Sequence, residues 1–234
     1  MKDALGDRIK SQYEDRARFK LPRRTYTIIR VDGKAFHTLT RNCEKPFDAD
    51  LIEMMQQAAV ELCIHAQGSC FGYVQSDEVS VLLQDLTDIT TEAWFDGNLQ
   101  KLASISASIV TASFNLNNLG LSIKEPAYFD ARAFTIPDPY EVENYFIWRQ
   151  QDASRNSLQM LARYWFSHQE LEGKDSAELH NMLNGVGVNW NFLPIPHKRG
   201  TGIIKAERGW IPDYEIPIWT QDREWLRSRI PRIQ

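Results

Sequence analysis

The 234-residue chain has no stretch of about 18 uninterrupted apolar residues, the length a helix needs to cross a bilayer. Its first residues, MKDALGDRIKSQYEDRARFK, are charged throughout, so neither membrane insertion nor an export signal is expected. Cysteine is scarce: Cys43, Cys63 and Cys70 have neither CxxC spacing nor the even number of a disulfide framework, which leaves reduced structural thiols in a cytoplasmic compartment. Positive charge is not in excess. With 27 Lys and Arg against 31 Asp and Glu, the net charge of −4 argues against coating nucleic acid through an overall basic field. The five histidines, 37, 65, 168, 180 and 197, show no HExxH or other paired ligand spacing, so no zinc is expected and packing or surface roles suffice. GxSxG and GxxxxGK[ST] are also missing, so acyl hydrolysis and P-loop chemistry have no support.

What is present is ordinary globular material, 43% hydrophobic and 25% charged, without repeats or low-complexity segments. The length suits one main core with an appendage. The division expected is 1–138, a catalytic core with an N-terminal helix, and 139–234, a helical and C-terminal extension packed on it. Basic residues gather at Arg16 to Arg24, at Lys198, Arg199 and Lys205, and at Arg223 to Arg232.

Periodicity predicts the elements. Leu5, Ile9 and Tyr13 recur every four residues and suit an amphipathic helix over 3–17. TYTIIRV at 25–31 reads as a first core strand closed by the turn signal Asp32-Gly33. A helix capped by Asp48 or Asp50 runs to about Gln67, with Leu51, Met54, Met55, Ala58 and Leu62 facing inward and Gly68 as its stop. Two short strands, 70–75 and 79–83, flank the polar break Ser76-Asp77-Glu78 as a hairpin. A helix over 99–116 and a strand over 128–134 follow, then helices over 141–168 and 176–184. The C-terminal portion alternates Gly, Pro and Trp with short apolar runs and reads as irregular strands and loops. The fold class is therefore α+β, with the order β-α-β-β-α-β of the ferredoxin-like arrangement and an appended helical layer.

That order carries a geometric consequence. In it strands one and three are antiparallel neighbours at the sheet centre, so Asp32 and Asp77 meet at one edge. Paired carboxylates repel and raise each other's pKa unless a cation sits between them. Mg²⁺, which favours hard oxygen ligands and is often shared between one or two carboxylates and substrate phosphates, is the natural cation, and two such ions support polymerase-type phosphoryl transfer. Taken singly, each aspartate is explained as a turn residue. Glu78 should point to the face opposite Asp77.

RVDGKAFH at 30–37, YVQSDEVSVLL at 73–83 and FDAR at 129–132 stand in an order that resembles the tRNA-histidine guanylyltransferase-like enzymes. KLASISASIVTASF from Lys101, YFIWRQQDASRNS at 145–157 and KRGT at 198–201 extend the likeness over most of the chain. The resemblance implies a palm-like core that adds nucleotides in the 3′-to-5′ direction to the 5′ end of tRNA. It implies ATP or GTP as activator, an NTP as the incoming nucleotide, two Mg²⁺ ions, and assembly into dimers or tetramers. By the same matching Asp32, Asp77 and the Gly33 backbone hold metal, and Asp32, Asp77 and Glu78 are catalytic. The nucleotide would be held by Arg30, Gly33, Lys34, Ala35, Phe36, His37, Lys45, Ser76, Lys101 and Arg132, where Arg and Lys stabilise phosphate electrostatically.

One departure bears on substrate. Members that recognise the histidine anticodon carry a His-Ile-Asn-x-x-x-Asn run after WRQ-x-D, and this chain reads Ser154-Arg155-Asn156-Ser157-Leu158-Gln159-Met160. That places it nearer the bacterial, archaeal and phage-type relatives, which resemble 5′-end repair enzymes, with strict tRNA-histidine guanylylation as the alternative. Two other readings stay open. An RNA-recognition module shares the strand order but stacks bases on sheet aromatics that 79–83 lacks, and a nucleotide cyclase shares paired acidic residues but has a GGDEF-type turn in place of QSDE.

Overall fold

The computed structural model describes residues 3–118 and 123–232. In chain order the elements are α1 (Ala4–Ile9), β1 (Tyr26–Gly33), α2 (Phe36–Leu39), α3 (Ala49–His65), β2 (Ser69–Gln75), β3 (Glu78–Leu83), α4 (Leu99–Leu116), β4 (Phe129–Ile136), α5 (Pro139–Trp165), α6 (His168–Leu171), α7 (Ser176–Gly185), α8 (Ile195–Arg199), β5 (Thr201–Ala206), β6 (Gly209–Asp213) and α9 (Arg223–Arg227). The six strands form one sheet in the order β4-β1-β3-β2-β5-β6, every neighbouring pair antiparallel.

Strand alternation divides the sheet into two faces. Ile29, Val31, Val79 and Val81 point to one side and are buried against Met55, Ala58 and Leu62 of α3 and Val110 and Phe114 of α4. Tyr26, Ile28, Phe71, Tyr73 and Leu82 point to the other, where Phe146 of α5 and the C-terminal Trp219 and Leu226 cover them. A third cluster joins α5 to α7 through Leu158, Leu161, Leu179 and Leu183. Caps fix the helix starts: of the two candidates Asp48 and Asp50 it is Asp48 that accepts from the Leu51 N–H, Asn98 accepts from Lys101, and Asp175 with Glu178 forms a capping box.

Three expectations need correction. The 3–17 stretch is helical, passing from α1 through a π turn (Lys10–Glu14) to a 3-10 turn (Asp15–Ala17), but its apolar residues cover nothing: Leu5 and Tyr13 are each 63% exposed. The arm is tied down only beyond it, where Leu21 donates to the Gly97 carbonyl and Lys20 bridges Asn98. Asp32-Gly33 is not a turn either; β1 runs through both residues, because Asp32 pairs with Glu78 on one side and Asp130 on the other. Lastly, the C-terminal portion is not only irregular: β5 and β6 extend the sheet beyond β2. Its entry rests on Gly200 at φ 76, where a Cβ would lie 2.5 Å from the Val74 carbonyl.

Candidate active site

Asp32 and the two-residue loop Ser76-Asp77 meet at one end of the central strands. The Gly33 N–H donates to the Asp77 carbonyl at 3.1 Å, which locks the end of β1 to the hairpin. Ser76 takes the left-handed conformation, φ 49, that a tight two-residue loop demands and a non-glycine residue adopts at some cost. Its hydroxyl donates to Asp77 Oδ1 at 3.0 Å. Burial pushes the Asp77 carboxyl above its ordinary value; the local hydrogen bonds oppose this and the Asp32 charge adds to it. Two converging carboxylates are thus held in a setting that a cation would relieve.

The pair opens on a cavity of about 790 Å³ between the β2–β3 loop, the segment 40–52, α5 and α8. Asp32, Lys45, Ser76, Asp77 and Glu78 line it, and Arg163, Tyr164, His197 and Lys198 stand on its walls. His197 stacks on Phe47 with centroids 4.8 Å apart, and its burial lowers its pKa, favouring the neutral ring.

Glu78 lies on this side too. The alternation that places it opposite Asp77 fails because Asp77 belongs to the loop, whereas Glu78 is the first β3 residue and shares a face with its partner Asp32. Its carboxylate is 6% exposed as a residue and takes two bonds from Arg149, Nε to Oε1 and Nη2 to Oε2, both 2.7 Å. Arg30 approaches the same carboxylate at 3.8 Å while its own buried Nε finds no partner among the described residues. Burial raises the Glu78 carboxyl and Arg149 pulls it back; on Arg149 burial is outweighed by the Glu78 charge, which raises the guanidinium.

The other expected residues fall into groups. Lys34 and His37 are exposed around the short helix α2, whose preceding Ala35 is left-handed at φ 53. Phe36 is buried against Phe114 and Phe129, so its side chain is core. That ring also explains Gly33: a Cβ there would lie 2.2 Å from Phe36 Cδ2. Arg132 sits on β4 opposite Arg30, half exposed and paired with Asp130 at 3.6 Å. Lys45 donates to the Thr40 carbonyl at 2.9 Å.

Lys101 is a correction. It occupies the first turn of α4 beside Phe95, whereas the last turn carries Phe114 to Phe36 near Asp32. At 1.5 Å per residue the intervening helix separates the two ends by about 20 Å, so Lys101 does not share the site within one chain. Three arginines of the C-terminal basic cluster are likewise engaged: Arg223 and Arg227 bond the buried Glu143, and the Arg229 guanidinium lies 3.6 Å over Trp225. The sequence reading missed Arg149, Asp152 and Asn156 as site residues, although their i, i+3, i+7 spacing in WRQQDASRN was the available signal.

Among the described residues, no group of three or more His, Cys, Asp or Glu side chains could cage a metal. The donor set fits Mg²⁺ nonetheless, since that ion needs only one or two carboxylates besides phosphate oxygens and water. Cys63, fully buried, and Cys70, pushed up to about 12 by burial, are held as thiols.

Residues 6–137 match the family described as Thg1: tRNAHis guanylyltransferase. The chain belongs to that family. Its relatives include the tRNA(His) guanylyltransferase of Schizosaccharomyces pombe, 31% identical over 76% of this chain and 72% of that protein. Among solved structures, a bacterial Thg1-like protein in complex with ATP superimposes with a TM-score of 0.92 at 44% identity, covering 97% of this chain and 99% of that one. A bacterial Thg1-like protein in complex with GTP gives 0.83 at 41% identity with the same coverage. Membership makes the chain one of a family of enzymes that act on tRNA, and among its described residues no helix is long and apolar enough to cross a membrane.

Proposed function

We propose that this chain is a template-dependent nucleotidyltransferase that adds nucleotides to the 5′ end of tRNA in the 3′-to-5′ direction, repairing truncated ends. The observation that carries the reading is the convergence of Asp32 and Asp77 at the mouth of a cavity large enough for a nucleotide, with Lys45, Arg163 and Lys198 on its walls. The strand order β4-β1-β3-β2 with α3 and α4 on one face supports a ferredoxin-like, palm-type core, to which residues 139–234 add the opposite layer.

The residues divide the work. Asp32, Asp77 and the Gly33 carbonyl are the groups that would hold Mg²⁺, which when bound would acidify the attacking hydroxyl and offset charge on the leaving phosphate. Ser76 orients Asp77 through its 3.0 Å bond. Arg30, Lys45 and Arg132 neutralise a triphosphate, and the backbone from Gly33 to Phe36 with Lys34 and His37 borders it. In the first step a tRNA 5′-phosphate oxygen attacks the α-phosphorus of ATP or GTP and pyrophosphate leaves. In the second, the 3′-hydroxyl of the incoming NTP attacks the tRNA 5′-phosphorus and the nucleoside monophosphate leaves. A 5′-triphosphate end needs only the second attack, with pyrophosphate as the leaving group in place of the nucleoside monophosphate.

Repair is favoured over strict tRNA-histidine guanylylation by the run Ser154 to Met160, which lacks the His and terminal Asn of the anticodon-reading members. The exposed apolar residues of the N-terminal arm support assembly as a dimer or tetramer. Sedimentation as a monomer at micromolar concentration would contradict that.

The test is extension of a labelled 5′-monophosphorylated tRNA lacking its first nucleotide, with Mg²⁺, ATP and all NTPs. Templated extension of several tRNA species is expected. Extension of tRNA-histidine alone would favour the stricter activity, and none on either 5′-monophosphate or 5′-triphosphate ends would refute the proposal.

A further inference from the structure

The family resemblance groups Glu78 with Asp32 and Asp77, and its backbone position agrees: it follows Asp77 directly and pairs across the ladder with Asp32. Its side chain is committed elsewhere. Arg149 grips both carboxylate oxygens at 2.7 Å, and the grip is itself braced. The guanidinium lies 4.5 Å from the Trp148 ring centroid and gives a further bond of 3.2 Å to Asp152. Asp152 is held in turn by Arg155 at 3.0 Å and Asn156 at 3.3 Å. A bidentate fork with both partners buried fixes orientation as well as charge.

We propose that Arg149 is a positioning residue that sequesters Glu78, keeping a third carboxylate away from the Asp32 and Asp77 pair; this rests on reading that pair as the metal site. Two carboxylates leave coordination positions for triphosphate oxygens and water, which is how Mg²⁺ is usually shared with a nucleotide. A third free carboxylate would add negative charge beside the incoming triphosphate and compete with it for the cation. The chain therefore needs Glu78 as an anchor of the hairpin on α5 and needs it absent from the ion.

The experiment measures Mn²⁺ binding to the full-length protein by calorimetry and by electron paramagnetic resonance, without nucleotide, alongside steady-state nucleotide addition. Arg149→Met releases Glu78 and should tighten Mn²⁺ binding about tenfold, the scale on which groups behind a ligand set metal affinity. At the same time kcat should fall and KM for the NTP should rise. Glu78→Gln combined with Arg149→Met should return Mn²⁺ affinity to the native value, since no ligand is removed and the Arg149 charge is not left unpaired. A merely structural role for Arg149 would weaken Mn²⁺ binding or leave it unchanged, and either result overturns the proposal. So does a loss of Mn²⁺ binding in the double variant, which would make Glu78 a ligand, because that variant removes the carboxylate without leaving the Arg149 charge unpaired; it decides the matter if Arg149→Met alone does not fold. Failure of the underlying reading has its own signature: Asp32→Asn and Asp77→Asn would both bind Mn²⁺ as the native protein does.

Discussion

The two faces of the central strands are made from the same fourteen residues of β1 and β3 and behave as opposites. Toward α3 and α4 they present Ile29, Val31, Val79 and Val81, all without exposed surface, so this face is a continuous apolar contact. Toward α5 the row is apolar only at one end, at Ile28 and Leu82, and then becomes Arg30, Ser80, Glu78 and Asp32 as it reaches the cavity. The first face contributes stability by removing area from water, and a polar group there would have no partner. The second can be polar because α5 supplies partners: Arg149 for Glu78 and the Tyr145 hydroxyl, 2.8 Å from Ser80 Oγ. The polar residues are thus placed where one helix can satisfy them, and the apolar face packs the strands on α3 and α4 behind them.

Substitutions on each face should separate activity from stability. The largest effect is expected from Asp32→Asn and Asp77→Asn, each reducing nucleotide addition by about 10³-fold or more, roughly 4 kcal/mol of transition-state stabilisation, with little change in melting temperature. If either variant retained activity within an order of magnitude in a single-turnover assay, the division between the faces would be wrong. On the apolar face Phe114→Ala removes the ring that packs edge-on to Phe36 and Phe129 and should cost about 3 kcal/mol or more in denaturant unfolding.

Gly33→Ala probes the boundary between the faces. Its Cβ would enter the Phe36 ring, so stability should drop by about 1–3 kcal/mol, the usual cost of overpacking. Pairing it with Phe36→Leu should recover part of that loss. If metal binding were impaired as strongly as stability, the glycine would be needed at the ion as well as for packing. Tyr145→Phe leaves the Ser80 hydroxyl without its 2.8 Å partner and should cost about 1 kcal/mol while sparing the apolar face.

The smallest effect should appear in acid. Burial works against a charged Glu143, but the bonds from Arg227 and Arg223 outweigh it and hold the carboxyl below its ordinary value. A depressed carboxylate contributes stability above its unfolded pKa and loses it as pH falls through the folded value. Docking of α9 on α5 should therefore be complete at neutral pH and weaken below about pH 4. Thermal melts across that range should show a shallower acid decline for Glu143→Gln than for the native chain.

Much of this was legible in advance, for identifiable reasons. α4 runs over the expected Leu99–Leu116, and α3 starts at Asp48, one of the two expected caps, because capping and amphipathic spacing are local signals. The meeting of Asp32 with the 76–77 loop followed from strand order alone. Other features were invisible for physical reasons. Gly33 reads as a turn glycine, yet its neighbours are set by Phe36, three residues on. The GIIKA segment reads as irregular because its partner β2 lies over 120 residues earlier, as in the Gly72 and Ile203 pair, and GWIPD joins the sheet only by pairing with GIIKA. Leu5, Ile9 and Tyr13 have helical spacing that says nothing of whether a partner surface exists.

The sequence by itself determined the β-α-β-β-α-β order of the core, the main helices and the apolar face of β1 and β3, which depend on periodicity, and the adjacency of the two aspartates, which depends on strand order. Only the tertiary structure decided that Glu78 belongs to Arg149, that Lys101 stands at the far end of α4, and that Arg223, Arg227 and Arg229 are engaged by Glu143 and Trp225. Charges are assigned to partners by packing across 70 or more residues, as the 71-residue separation of Glu78 and Arg149 illustrates, and no local pattern encodes which of several arginines will arrive.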